Sequence, residues 1–174
     1  MEQRPRLLSL GTGDLARSAM LAAILEALGG ASGRALDVRR AGTHARAGEP
    51  AAPARDALGA IDELVVTPRV GASHQLELAD LEWADVVLAT AAEQVRFVRE
   101  AFPAFSLSCC TLGQFVREAP LDAPWSTQVA LVAASDPEPA YDLAEPTGTD
   151  QAAYDALAGQ LFELVQVFLT VLGD

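Results

Sequence analysis

The segment RLLSLGTGDLARSAM, residues 6–20, constrains the fold more than any other part of the chain. Residues 6–10 read as a short apolar strand. Residues 11–18 form a glycine-bearing loop, and from Arg17 the apolar positions Met20, Leu21, Ile24, Leu25 and Leu28 recur at helical spacing. Gly29 and Gly30 are expected to end that helix. A strand that passes through a tight loop straight into a helix is the first half of a βαβ unit, and such units build parallel sheets.

The rest of the chain continues the alternation. A second strand is expected over 35–41, a loop through AGTHARAGEPAAP, and a helix near 54–60. Residues 61–76 fit no single pattern. ADVVLA, residues 84–89, is the clearest buried strand and is followed by a helix over 91–101. A fourth strand is expected over 105–110, then a short helix over 112–118. Loops rich in Pro and Asp, 119–126 and 135–149, flank a helix near 128–134, and a long amphipathic helix from about 150 to 172 closes the chain. Strands separated by helices give one α/β domain over residues 1–174, with about four parallel strands covered on both faces.

Composition narrows the partners. The net charge of −12 makes duplex nucleic acid and anionic membrane surfaces poor ligands, although it says nothing about one local cleft. The late apolar run 161–172 is interrupted by Glu163, Gln166 and Thr170, so it is not expected to span a bilayer. The apolar run 7–10 is too short for a secretion signal, and a cytoplasmic protein is expected. The two cysteines, Cys109 and Cys110, are adjacent and read as buried thiols rather than a disulfide. His44 and His74 lie in loop-like segments with no ligand spacing around them, so no metal is expected.

Loop 11–18 is where chemistry is expected. In parallel sheets ligands sit beyond the carboxyl ends of strands, where a helix N-terminus faces the crevice. Backbone N–H groups and the helix dipole favour an anion there, and the Arg17 guanidinium adds a fork that matches two phosphate oxygens. The P-loop of nucleotide hydrolases needs a Gly-Lys-Ser/Thr that this loop lacks. The dinucleotide pattern G-x-G-x-x-A is present as Gly11, Gly13 and Ala16, with Arg39 and Arg40 as candidate readers of an NADP phosphate.

A third template fits more of the chain. GTGDLARS, residues 11–18, resembles the signature Cys, five residues, Arg, Ser of the low-molecular-weight protein tyrosine phosphatases, a family that shares its fold with some arsenate reductases. RAGTHARAGEP resembles that family's SAGT segment, ADVVLATA its third strand, TLGQFVREA a helix of its actinobacterial members, and DLAEPTGTDQAAY its late D-P-Y-G segment. These five segments occur in order over nearly the full length. The resemblance implies a flavodoxin-like fold with strand order 2-1-3-4 and helices on both faces. It also implies that Thr12, Gly13, Asp14, Leu15, Ala16, Arg17 and Ser18 form an anion-binding loop for phosphate, sulfate or a phosphorylated ligand.

The resemblance also implies a cysteine nucleophile, and here that position is Gly11. The second loop cysteine is replaced by Ala16. Losing the nucleophile of a covalent mechanism costs on the order of 10⁴–10⁶ in rate, so phosphocysteine chemistry is not expected. Asp14 stands where the family has Asn, and its carboxylate would repel phosphate unless it is neutralised or turned away. Glu145 stands at the general-acid aspartate, and Thr147 and Arg46 stand where aromatics wall the phenol pocket. Ser18 has no base close in sequence to make it a nucleophile. Arg17 is expected either to hold an anion or to pair locally with Asp14 or Glu145. Three readings follow: a pseudophosphatase that keeps an oxyanion loop or docks a protein partner, an enzyme of changed chemistry using Glu145 or Asp14 on a phosphorylated substrate, or a dinucleotide binder.

Overall fold

The computed structural model describes residues 4–50, 52–61 and 71–172. Four strands, β1 (Arg6–Gly11), β2 (Asp37–Gly42), β3 (Val86–Ala89) and β4 (Cys109–Thr111), form one parallel sheet in the order β2-β1-β3-β4. This is the expected order. Around it stand α1 (Arg17–Ala31), α2 (Ala52–Gly59), α3 (Leu78–Trp83), α4 (Ala92–Ala101), α5 (Leu112–Glu118), α6 (Trp125–Ala133) and α7 (Gln151–Val171).

Strand periodicity divides the core in two. Leu7, Val86, Leu88 and Cys110 face α1, α2, α5, α6 and α7, where Met20, Ile24, Phe115, Leu161 and Phe168 are buried. Leu8, Leu10, Val87, Ala89 and Cys109 face α3 and α4, packing on Leu81, Val95 and Val98. Successive side chains of a strand point to opposite faces, which is why the two adjacent cysteines lie in different layers and stay free thiols. Burial pushes the Cys109 thiol up to about 12 and the Cys110 thiol higher still.

The structure corrects two boundaries and adds one helix. α1 runs through Gly29 and Gly30 to Ala31. The stop comes at Gly33, whose φ of 75° turns the chain while its N–H bonds the Gly30 carbonyl at 3.3 Å. Residues 103–108 form a 3₁₀ helix opened by Pro103, so β4 keeps only Cys109 and Cys110 of the strand expected over 105–110 and adds Thr111. The unassigned stretch 61–76 lies largely outside the described residues. Just beyond it sits α3, which sequence reading did not find. Its signal is Glu77 and Asp80, three apart, where the Glu77 N–H donates to Asp80 Oδ2 at 2.9 Å.

The strand order places the site. β1 is flanked by β2, to which the chain crosses in one direction, and by β3, reached by crossing in the other. The carboxyl ends of β1 and β3 therefore bound a crevice at the switch point. Loop 11–18 leaves β1 there, and the start of α4 leaves β3 beside it. Among the described residues no helix is long and apolar enough to cross a membrane.

Candidate anion-binding site

Loop 11–18 is held from below by its carbonyls. The N–H groups of Thr43, His44 and Arg46 donate to the carbonyls of Gly11, Thr12 and Gly13 at 2.9, 2.9 and 3.0 Å. At the end of β2, a Cβ on Gly42 would run into the Thr12 carbonyl, so only glycine lets β2 pass this close beneath the loop. With its carbonyls engaged downward, the loop leaves its amides for the crevice. None of the N–H groups of residues 12–18 has a protein acceptor among the described residues. The N-terminus of α1 has no side-chain cap and no acidic residue in its first turn.

Asp14 carries the strain of the loop. Its φ of 55° makes it the one non-glycine residue with positive φ among those described, a conformation Asp tolerates better than most residues. Its carboxylate is buried and turned away from the crevice. Ser18 Oγ donates to Asp14 Oδ1 at 2.8 Å, the His74 N–H donates to Oδ2 at 2.9 Å, and Arg40 Nη1 lies 3.1 Å from Oδ2. Arg40 also donates to the Asp14 carbonyl at 2.7 Å and the Gly71 carbonyl at 2.6 Å. His74, in turn, is anchored through Nε2 to Asp80 Oδ2 at 2.8 Å.

Ser18 occupies the space that a side chain on Gly11 would need. A Cβ built on Gly11 would lie 2.7 Å from Ser18 Oγ and 3.0 Å from Ser18 Cβ. The backbone of Ser18 is tied to β1, where Ser9 Oγ donates to its carbonyl at 2.9 Å.

Arg17 reaches across the crevice floor with only 7 % of its side chain exposed. Nη1 donates to the Leu143 carbonyl at 3.1 Å, and Nη2 lies 3.4 Å from Thr12 Oγ1. Nη2 also pairs closely with Glu145 and lies 3.9 Å from Glu93 Oε1. Arg17 Nε is buried with no partner. Nε and Nη2 share one edge of the guanidinium, the edge that grips two oxygens of an oxyanion. Glu145 covers half of it. Of the two local partners the sequence left open for Arg17, Glu145 is the one that meets it, while Asp14 is committed to Arg40.

The rim was less visible in sequence. Glu93 and Gln94 come from α4: Thr12 Oγ1 donates to Glu93 Oε1 at 2.6 Å and accepts from Gln94 Nε2 at 3.1 Å. Gln94 Oε1 accepts from Thr90 N and Ala91 N at 2.9 and 2.8 Å, bracing the turn after β3. Nothing in the spacing of EQ marks them; only the strand order brings them to Thr12. Arg46 lies over Gly13, its Cδ 3.6 Å from where a Cβ would stand. Thr147 is exposed on the late loop, and Leu15 and Ala16 lead into α1 with Ala16 buried. Burial and then the Glu145 carboxylate push the Tyr154 phenol above its ordinary value. His44 stacks edge-on against Phe97 at 5.4 Å, and among the described residues no cluster of metal-ligating side chains occurs.

A parallel 2-1-3-4 sheet with a loop and a buried arginine at its switch point defines the class of layered α/β domains whose crevice opens at the strand switch. Solved structures specify it further. The chain matches the YwlE arginine phosphatase from Geobacillus stearothermophilus at 26 % identity and a TM-score of 0.72, over 95 % of this chain and 91 % of that one. It matches a low-molecular-weight protein tyrosine phosphatase from T. tengcongensis at 23 % identity and a TM-score of 0.75, over 95 % and 98 %. It also matches Wzb from Vibrio vulnificus, solved with benzylphosphonate, at 17 % identity and a TM-score of 0.71, over 97 % and 99 %. The sequence matches no protein-family model and no curated protein sequence. The resemblance to the low-molecular-weight protein tyrosine phosphatases is thus carried by the three-dimensional structure, and their fold is the fold of this chain.

Proposed function

We propose that this chain is a phosphatase-fold protein that binds an oxyanion without forming a phosphocysteine. The observation that carries the reading is Arg17: a nearly buried guanidinium whose Nε has no partner, beside loop amides with no protein acceptor. Unmet buried donors are costly, and a bound oxyanion would meet them together. Gly11 supports the absence of turnover, because it offers no nucleophile and Ser18 fills the space beside it. Asp14 does not oppose the anion, since Arg40 neutralises it on the far side of the loop.

Phosphate, sulfate or a phosphorylated group suits the site in charge and geometry, and the neighbours named above are phosphatases of arginine and tyrosine. Glu145 acts here as an internal counter-ion at the rim, half exposed and able to swing from Nη2 when an anion arrives. The dinucleotide reading loses support, because Arg40 is spent on Asp14 and Gly71 while Arg39 lies 4.0 Å over the Trp83 ring.

The test pairs binding with turnover. Phosphate or sulfate should raise the unfolding temperature of the wild type beyond a chloride control of equal ionic strength. A ligand at about 100 times its Kd adds about 2.7 kcal/mol. Arg17→Lys, which keeps the charge and loses the fork, should abolish the shift. p-Nitrophenyl phosphate should show no turnover above background. Turnover that disappears in Arg17→Lys would overturn the inactive reading, and equal shifts in wild type and variant would overturn the oxyanion site.

A further inference from the structure

The rim of the site is built for something a bare phosphate does not carry. Two carboxylates converge on the same nitrogen, Arg17 Nη2: Glu145 in close contact and Glu93 at 3.9 Å. Glu93 is not a passing surface group, because Thr12 Oγ1 holds it at 2.6 Å and Gln94 holds Thr12 in turn. The charges are layered. Arg17 is 7 % exposed at the bottom of the crevice, while Glu145 and Glu93 are 50 % and 63 % exposed above it. One buried cation therefore sits beneath two rim anions. A dianion entering alone would gain the cation and meet both carboxylates on its outer side.

Resting on the oxyanion reading above, we infer that the ligand is a zwitterion: an oxyanion for the loop and Arg17, with an ammonium group beside it that pairs with Glu93 and Glu145. Such a ligand carries the opposite layering to the site. Its anion meets the donors of the floor, and its cation replaces Arg17 as the partner of the displaced Glu145. The groove running outward from Thr12 and Glu93 has room for the cationic part. It is about 320 Å³ in volume and is lined by His44, Glu93, Arg96, Phe97 and Glu100 among others. Arg96 stands one helical turn from both Glu93 and Glu100 on α4, so its guanidinium offsets only part of their combined charge. Arg46 lies over Gly13, on the other flank of the loop, and makes no ion pair among the described residues.

The rim also selects against simple anions. Like charge at a rim lowers the affinity for a competitor without abolishing it, and here phosphate groups with no neighbouring positive charge bind the loop more weakly.

Calorimetric titration of the full chain with methyl phosphate and with O-phosphoethanolamine tests this, the two differing by the ammonium arm. The wild type should bind O-phosphoethanolamine about tenfold more tightly. In Glu93→Gln/Glu145→Gln that preference should vanish, with methyl phosphate binding more tightly than to the wild type. Both side chains are half exposed, and circular dichroism confirms that the variant folds. Equal or tighter binding of methyl phosphate by the wild type overturns the zwitterion inference and leaves the oxyanion site standing. So does a preference that survives in the double variant. Failure of both ligands to bind either protein overturns the oxyanion reading and this inference together.

Discussion

The Ser18 hydroxyl stands 2.7 Å from where a side chain on Gly11 would begin, held there by its hydrogen bond to Asp14. On the function proposed above, Gly11 stands at the nucleophile's position, and a larger residue there would meet Ser18. Ser18 alone crowds the place, with its Oγ at 2.7 Å and its Cβ at 3.0 Å from a Cβ on Gly11. Gly11→Cys should therefore fail to restore phosphatase activity and should lower stability by about 1–3 kcal/mol, the usual cost of forcing heavy atoms into a filled site. Ser18→Ala in the same chain should recover part of the loss, because it removes the nearest atom. Urea unfolding of the single and double variants measures the coupling, and an additive result would contradict the contact.

Asp14 and Arg40 form the second lock of the loop. The Asp14 carboxylate is fully buried, and Arg40 is its one cationic partner among the described residues, with Ser18 and the His74 amide as its neutral donors. Arg40→Ala leaves a buried charge without its counter-ion and should cost about 3 kcal/mol, at the lower end for a broken buried pair because two donors remain. Asp14→Asn combined with Arg40→Ala should cost less than Arg40→Ala alone, since no charge is then stranded. Thermal or urea unfolding checks the order. A double variant less stable than Arg40→Ala alone would show that the pair matters through packing rather than charge.

These two locks mark where sequence reading reached and where it stopped. The sheet was legible because strand and helix periods alternate cleanly: LLSL, ADVVLA and the apolar ladder of α1 each state one period without ambiguity. The loop was legible because glycine, arginine and serine at fixed spacing serve one electrostatic task. Local propensity misled where tertiary closure decides. Gly29 and Gly30 are tolerated inside α1, and Gly29 there lets the Arg34 carbonyl approach to 2.9 Å of where a Cβ would be. Ser108 Oγ turns back to the Phe105 carbonyl at 2.9 Å, within a 3₁₀ turn rather than a strand. Glu93 and Arg40 were hidden for another reason. Each acts on loop 11–18 from another strand's end, and only the order β2-β1-β3 brings those ends together.

The cysteines offer a direct reading of burial. Cys109 is fully buried against α4 and its thiol is pushed up to about 12, while Cys110 on the other face is pushed higher. At pH 8 a thiol of that pKa is ionised in only about one molecule in 10⁴, and the thiolate is the reactive form. Ellman's reagent should find no reactive thiol in the native protein and two after unfolding in urea. A fast native reaction would mean that β4 opens without global unfolding.

The Arg6–Asp85 pair sets an acid limit on stability. Asp85 Oδ2 accepts from both the Arg6 amide at 2.9 Å and Nε at 3.2 Å, and Oδ1 accepts from Nη2 at 2.7 Å. The hydrogen bonds from the Arg6 side chain, more than any other cause, hold the Asp85 carboxyl below its ordinary value and raise the Arg6 guanidinium above its own. The sign follows from linkage. A carboxyl depressed in the folded state binds fewer protons there than in the unfolded chain, so its stabilisation is full above the unfolded value of about 3.9 and is lost as pH falls through the folded one. Arg6 stays protonated throughout that range and adds no pH dependence. The stability gap between wild type and Asp85→Asn should therefore be flat above about pH 5 and should close below about pH 4. Urea midpoints from pH 3 to 7 measure it. A gap that widens on acidification would mean that the pair is broken in solution and that Asp85 acts through the strand end it caps.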